Sequence, residues 1–333
     1  MKTQSTMKPK ALQSIYELAD QLGVSTTTVS RVLNGRPGIG DATRQRVLSV
    51  ARRAGFRPRM TARQVTVAVV IDRHQFASFG GFVSSLLSHL VQMLARQNVA
   101  VELVTQHNLD RLHERLIDGV LAMAWDDSTI EAMRKLPEIP VVTLNRMDVE
   151  DFSAVATDHR AQAEIAAQYL CSRGHRRIAM VSEERNNWGS RQRVEGFNAA
   201  LKKAGLEVDE RAIVFTDHQP MYGVLQRLMT GWKPTAVFVA AEDLDLEASY
   251  ILRDVLGLKI PHDVSVIGME SANVSQFLAP PMTTLCQPLE ELAAKAMEVL
   301  LDQMAKGSCV PQRLMLDNTL IERESVATLP NAK

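Results

Sequence analysis

The chain has 333 residues, 46% of them hydrophobic, enough to fill the cores of two or three domains. No apolar run approaches the roughly 18 residues a membrane span needs, and the N-terminus lacks the charged, apolar and small-residue succession of a signal peptide, so a cytoplasmic protein is expected. The formal net charge of zero hides an asymmetry: residues 1–64 carry twelve Lys and Arg against Glu17, Asp20 and Asp41, a basic head on an acidic body that suits a polyanion partner.

In the head, Ile15, Leu18, Ala19 and Leu22 share one helical face, and Gly23 stops that helix in a tight turn. Ser25 can cap a second helix whose Val29, Val32 and Leu33 point inward, while Thr26, Thr27, Ser30, Arg31 and Asn34 point out. A small, hydroxyl-rich helix face with one Arg can enter a major groove, where Ser and Thr reach phosphates or bases and Arg pairs bidentately with guanine. Asp41 caps a third helix, in which Val47, Leu48 and Ala51 close a three-helix core and which Gly55 ends.

These residues carry a resemblance. "YELADQLGVSTTTVSRVLNG" resembles the DNA-binding head of the LacI/GalR family of bacterial repressors, and "AGFRP" its junction with the hinge. The likeness resumes in the body at "DGVLAMAWDDSTIEAMRKLPEIPVVTLNR", "YLCSRGHRRIAMV", "RVEGFNAALKKAGL", "PTAVFVAAED", "GLKIPHDVSVIGME" and "PPMTTLCQPLEELAAKAMEVL". It implies that Thr26, Thr27 and Arg31 read base edges while Ser25, Ser30 and Asn34 place the helix on the backbone. Thr28 and, in the linker, Arg59, Ala62, Arg63 and Val65 complete the expected DNA contacts. The linker departs from the family pattern: it is about six residues shorter, and Val65 stands where the family's Leu wedge enters the minor groove. Either the hinge helix is shortened or the head docks differently.

From Val65 onward, "VTVAVVI", "VAVELV", "GVLAMA", "PVVTL", "RIAMVS", "TAVFVAA" and "VSVIGM" alternate with helical or loop segments, the rhythm of a parallel α/β sheet covered on both faces. The pattern restarts near Asp158, which predicts two sheets with a cleft between them. The resemblance implies a type I periplasmic-binding-protein-like body of two parallel-sheet lobes behind an all-α helix-turn-helix head. The expected division is a head over 1–57, a shortened hinge over 58–66, a body over 67–327 and a tail over 328–333. Lobe one takes 67–157 and 290–317, lobe two 158–287 and 320–327, with crossovers near Asp158, Gln287 and Leu320.

Ligands in open α/β sheets bind beyond the carboxyl ends of the strands. Those positions hold Asp72 and Arg73, Trp125 and Asp126, Asn145 and Arg146, Ser182 and Glu183, Glu242, Glu270, and Gln287 on a crossover. Carboxylates, amides and an Arg beside an aromatic ring suit a sugar or polyol, and Phe76, Phe79 and Phe82 can add an apolar wall, at least one of them from the core. The resemblance adds Arg193 of "RVEGF" as a ligand contact, against a structural bridge to Glu195 or Glu242. Where the family carries Asn-Asp after "VFVA", this chain has Ala241 and Glu242; at the family's ligand-binding Asp it has Glu270. The expected effector set is therefore Asp72, Phe79, Trp125, Arg146, Arg193, Glu242, Glu270 and Gln287, with Trp125 evenly placed between ligand wall and lobe-interface residue.

There is no GxGxxG, P-loop or His/Cys metal spacing, and Cys171, Cys286 and Cys309 suggest neither a disulfide framework nor a zinc site. His175 precedes a strand in a stretch where the resemblance implies a packing role for the Gly-His pair. No enzyme, cofactor or metal is expected. The reading is a ligand-responsive regulator, most simply a repressor, that binds operator DNA as a homodimer and takes a sugar or sugar derivative as effector. The family's leucine-heptad tail does not follow "LIERESV", so a dimer is the expected limit. The alternative is a cytoplasmic sugar-binding sensor whose head no longer grips DNA.

Overall fold

The computed structural model describes residues 14–330, apart from 34, 35, 55, 57–63, 73–80, 137, 138, 218, 242, 243 and 271–273. The head holds three helices: α1 (Ile15–Leu22), α2 (Thr26–Leu33) and α3 (Asp41–Arg53). Ser14 Oγ accepts the Glu17 N–H at 3.2 Å to start α1, and Gly23 at φ 63° ends it, a left-handed turn that a side chain would strain. Ser25 Oγ accepts the Thr28 N–H at 3.0 Å and so caps α2. Leu18, Val29, Val32, Val47, Leu48, Ala51 and Phe56 fill a small core, with Leu33 at its edge. Asp41 is the first residue of α3 rather than the residue before it, and Gly55 lies outside the described residues.

The body follows as β1 (Thr66–Ile71), α4 (Phe82–Arg96), β2 (Ala100–Thr105), α5 (Arg111–Glu114), β3 (Gly119–Met123), α6 (Asp127–Arg134), β4 (Val141–Leu144) and β5 (Ser153–Thr157). Next come α7 (His159–Ser172), β6 (Ile178–Ser182), α8 (Trp188–Lys203), β7 (Ile213–Phe215), α9 (Met221–Arg227), β8 (Ala236–Val239), α10 (Leu244–Tyr250), β9 (Ser265–Met269) and β10 (Thr283–Cys286). The chain closes with α11 (Leu289–Lys306), β11 (Arg313–Leu316) and β12 (Thr319–Ile321). The first sheet runs β11-β5-β4-β3-β1-β2, all parallel. The second runs β12-β10-β9-β8-β6-β7, parallel except for β12, which pairs antiparallel with β10 at the edge.

Each sheet buries both faces, which is why its central strands read as unbroken apolar runs. Leu86, Leu90 and Leu94 of α4, spaced by one helical turn, and Leu292, Ala296 and Leu300 of α11 cover one face of the first sheet; Leu112, Ile130 and Met133 belong to the other. In the second lobe, α7 and α8 cover one face through Ala163, Ala167, Phe197 and Leu201, and α9 and α10 cover the other. The two covering helices α7 and α8 meet at Gly196, where an added Cβ would lie 2.0 Å from the Arg160 carbonyl oxygen.

The chain passes between the sheets three times: from Thr157 into α7, from Cys286 into α11, and between Leu316 and Thr319. Leu320 is already inside β12. These passages put the carboxyl ends of β1, β3 and β4 opposite those of β6 and β8, leaving a cleft between the lobes. On the outside of lobe one, α3 of the head lies against α5, and Leu116 packs on the head's core.

Candidate nucleic-acid interface and interlobe cleft

On α2 the outward side chains divide by task. Ser25 and Thr28 hold each other, with 2.8 Å between their hydroxyls, and form the cap. Thr27 and Arg31 are exposed, whereas Thr26 and Ser30 are half-buried. The Arg31 guanidinium folds back, Nη2 donating to the Pro37 carbonyl at 2.8 Å. Tyr16, at the start of α1, is 73% exposed although its neighbours Leu18 and Ala19 are core; the hydrophobic pattern of α1 gave no reason to single it out. Asn34, Arg59, Ala62 and Arg63 lie outside the described residues.

Val65 does not stand as a wedge. Its carbonyl accepts the Ala100 N–H at 2.7 Å and its side chain packs at the edge of the first core, directly ahead of β1. In this arrangement both contacts engage Val65 with the body.

The interlobe cleft has a volume of about 950 Å³ and is lined by Asp72, Trp125, Arg193 and Gln287 of the expected effector set. Phe79 and Glu242 lie outside the described residues. Asp72 is buried, and its carboxylate accepts the Trp125 N–H at 2.9 and 3.1 Å and the Asp126 N–H at 2.8 Å. Burial pushes its pKa up, against the downward pull of the two amides. Trp125, half-buried, meets Phe82 edge-on, with ring centroids 6.4 Å apart. Asp72 thus fixes the loop that presents an aromatic wall.

Two members of the set face elsewhere. Arg146 does not line the cleft: its Nη1 donates to the Trp125 carbonyl at 2.8 Å, Nη2 to Asp127 at 2.7 Å and Nε to Asp148 at 2.8 Å, so its donors brace lobe one. Glu270 does not line it either. Its carboxylate pairs with Arg323 at 2.8 Å and accepts from Thr284 Oγ1, because a side chain one methylene longer than Asp reaches a half-buried cation from the chain's last segment. Ser182, also at a strand end, is buried against Ser190, hydroxyl to hydroxyl at 3.0 Å.

In lobe two, Arg193 reaches the cleft from α8, its Nε donating to Gln162 Oε1 at 2.8 Å. Gln287 Oε1 accepts from Asn145 Nδ2 and from Thr157 Oγ1, both at 2.7 Å, and Asn145 Oδ1 accepts the Thr157 N–H at 2.9 Å. That triangle ties the end of β4 to the first and second crossovers. Asn145 takes φ 55° to close it.

Sequence reasoning did not single out His159, Asn187 or Gln219, which also line the cleft. His159 is 4% exposed and meets Trp188 edge-on at 5.3 Å. Burial, with the charge of Arg193 beside it, holds its pKa well below the ordinary histidine value, so the ring is neutral at pH 7. Its position directly after the Asp158 cap, whose carboxylate accepts the Ala161 N–H at 2.8 Å, was the available signal. His175 bonds Thr235 and the Ala327 carbonyl through its two ring nitrogens and takes no part in the cleft.

Among the described residues no helix is long and apolar enough to cross a membrane. The family described as bacterial regulatory proteins, lacI family, matches residues 14–59, and a periplasmic binding protein-like domain matches residues 167–326. The HTH-type transcriptional repressor PurR of Erwinia tasmaniensis is 30% identical over 96% of this chain and 98% of its own length. A solved complex of the transcriptional regulator CelR with cellobiose is similar with a TM-score of 0.71 and 28% identity, over 93% of this chain and 99% of that one. A LacI family transcriptional regulator from Enterococcus faecium with bound ribose is similar at a TM-score of 0.69 and 25% identity, over 80% of this chain and all of that one. The helix-turn-helix head, the two-lobed body and these likenesses along nearly the whole length agree, and the chain belongs to the lacI family of bacterial regulatory proteins.

Proposed function

We propose that this protein is a cytoplasmic, ligand-responsive transcriptional regulator, a repressor that grips a pseudo-palindromic operator as a homodimer and catalyses no reaction. The observation that carries the reading is the Thr27 and Arg31 face of α2, exposed within the first 64 residues, which carry nine surplus positive charges, and joined to a body with a polar cleft of about 950 Å³ between its lobes. One small head contacts little DNA, and two heads on a dimer multiply the affinity for paired half-sites. Arg31 gives up its bond to the Pro37 carbonyl when it turns toward a base edge.

The effector is a small hydroxylated molecule, a sugar or sugar derivative, as cellobiose and ribose are in the similar structures. Trp125 offers a ring face to its C–H surface, while Arg193 and the amides around it offer donors and acceptors to its hydroxyls. Occupancy favours one relative placement of the lobes, and operator affinity changes by the differential binding to the two states.

The test is fluorescence anisotropy of the purified protein on a palindromic fragment from its own upstream region, against scrambled DNA, at two salt concentrations. Specific binding that falls steeply with salt is expected, and Arg31→Ala is expected to weaken it by about 1–3 kcal/mol, the worth of one bidentate base contact. Equal, weak binding to both fragments would remove the operator reading. It would favour instead the sensor reading, to which the engagement of Val65 in the first sheet already lends a reason.

A further inference from the structure

A second side-chain chain runs from the cleft to the crossovers, separate from the Asn145, Thr157 and Gln287 triangle. Arg193 Nε donates to Gln162 Oε1 at 2.8 Å, Gln162 Nε2 donates to Asn318 Oδ1 at 2.9 Å, and Asn318 Nδ2 donates to the Asp158 carbonyl at 2.9 Å. Arg193 lines the cleft; Asn318 lies on the third crossover and Asp158 on the first. The same two crossovers are joined by the Asp158 N–H, which bonds the Leu316 carbonyl at 2.9 Å. Gln162 is 0% exposed and Asn318 9% exposed, so water does not readily replace a bond that either amide loses.

We propose that Gln162 is the positioning residue that transmits the state of Arg193 in the cleft to the third crossover, and through it to the relative placement of the lobes. This rests on the reading of the cleft as the effector site. The physical basis is the planarity of the amide. Its oxygen and nitrogen sit on one rigid group, so a rotation that lets Oε1 follow a displaced Arg193 swings Nε2 away from Asn318. A carboxylate could accept from Arg193 but could not donate to Asn318, and a hydroxyl is too short to reach both. Because the group is buried, both bonds are made or the amide turns; a network of this kind has discrete arrangements rather than a continuum.

Hydrogen exchange on the full chain, without DNA or ligand, tests this. Arg193→Ala is expected to speed exchange of the Asp158 and Thr319 amides about ten-fold, the effect of one lost charge-assisted bond, while amides of β6 and β8 in the lobe-two core stay protected. In an Asn318→Ala background, which leaves Gln162 to accept from Arg193 but removes the far end, the same Arg193→Ala change is expected to add less than about two-fold. Gln162→Met, which neither accepts nor donates, is expected to show the same non-additivity, which keeps the test decisive where Asn318→Ala does not fold. An Arg193→Ala effect that stops short of Asp158 and Thr319, or one of equal size in both backgrounds, overturns the relay. The experiment contains neither operator nor effector, so failure of the operator assay leaves its result readable, and failure of the relay leaves the operator assay untouched.

Discussion

The two walls of the cleft are built on different plans. In lobe one, Trp125 is clamped through its own backbone: Asp72 accepts its N–H, Arg146 donates to its carbonyl, and Phe82 meets its ring. Charged side chains at the strand ends there serve the loop that carries the aromatic surface. In lobe two, Arg193 reaches the cleft on a long side chain and is held by another side chain, Gln162, which is itself bonded to a crossover. A wall clamped by main-chain bonds keeps its shape whatever fills the cleft. A side chain held by a side chain has more rotatable bonds between it and the backbone. The difference is what the proposed relay builds on: a main-chain clamp in lobe one and a side-chain link to the crossovers in lobe two.

The largest effect is expected where lobe two has least room. Gly196→Ala drives a Cβ to 2.0 Å from the Arg160 carbonyl oxygen, and backbone on both sides must shift. A loss of about 3 kcal/mol in urea unfolding is expected, with Gly231→Ala, whose added atom meets nothing within 4 Å, as the control. An unchanged midpoint would mean that α7 and α8 separate freely, and the support beneath Arg193 would be softer than described.

Asp72→Asn attacks the lobe-one clamp. The amide oxygen can still accept from Trp125 and Asp126 in the place of Oδ2, but the NH2 in the place of Oδ1 faces the Trp125 N–H and the charge behind both bonds is lost, so a loss of about 1 kcal/mol is expected from the same unfolding measurement. A neutral outcome would show that the loop holds Trp125 without the carboxylate.

His159 sharpens the contrast through pH. Its folded pKa is depressed, so below the ordinary value of 6.5 the unfolded chain binds a proton that the folded chain refuses. Its contribution to stability is therefore complete above that pH and is lost as the pH falls through it. His159→Gln is expected to remove up to about 1.4 kcal/mol per pH unit of the acid-side slope, read from unfolding midpoints at a series of pH values. An identical slope in the variant would place the acid sensitivity elsewhere.

The smallest effect is expected at Val65. Val65→Ala trims a half-buried core edge and is expected to cost no more than about 1 kcal/mol of stability while leaving operator affinity within about two-fold. A ten-fold fall in affinity with stability intact would restore a DNA contact at this residue.

Much of the fold is legible in the chain. Seven β-branched runs match β1–β4, β6, β8 and β9, and Gly23, Ser25 and the inward valines of α2 describe the head. The strands that escaped notice are β5, β7, β10, β11 and β12. Their sequences, such as "SAVAT" and "TTLC", are short and rich in small or hydroxyl residues, or they lie at sheet edges, where the neighbour rather than the side chains makes the strand. In the cleft, Asp72, Trp125 and Gln287 were found from strand ends and a crossover and Arg193 through the family resemblance, whereas His159 and Asn187 stand at the starts of helices of lobe two and carry no strand-end mark.

The sequence by itself determined the alternation of strand and helix, the capped reading helix on a basic head, and the restart that makes two lobes, since these depend on local periodicity and local hydrogen bonds. Only the tertiary structure decided which strand-end side chains face the cleft. Asp72, Arg146 and Glu270 are alike in placing a charge just after the end of a strand, yet one pins a loop, one braces it and one turns to Arg323. A buried or half-buried polar group goes to the partner that satisfies it, and those partners, such as Arg323 for Glu270 and Asn318 for Gln162, arrive from distant parts of the chain, on the last segment that returns to lobe two.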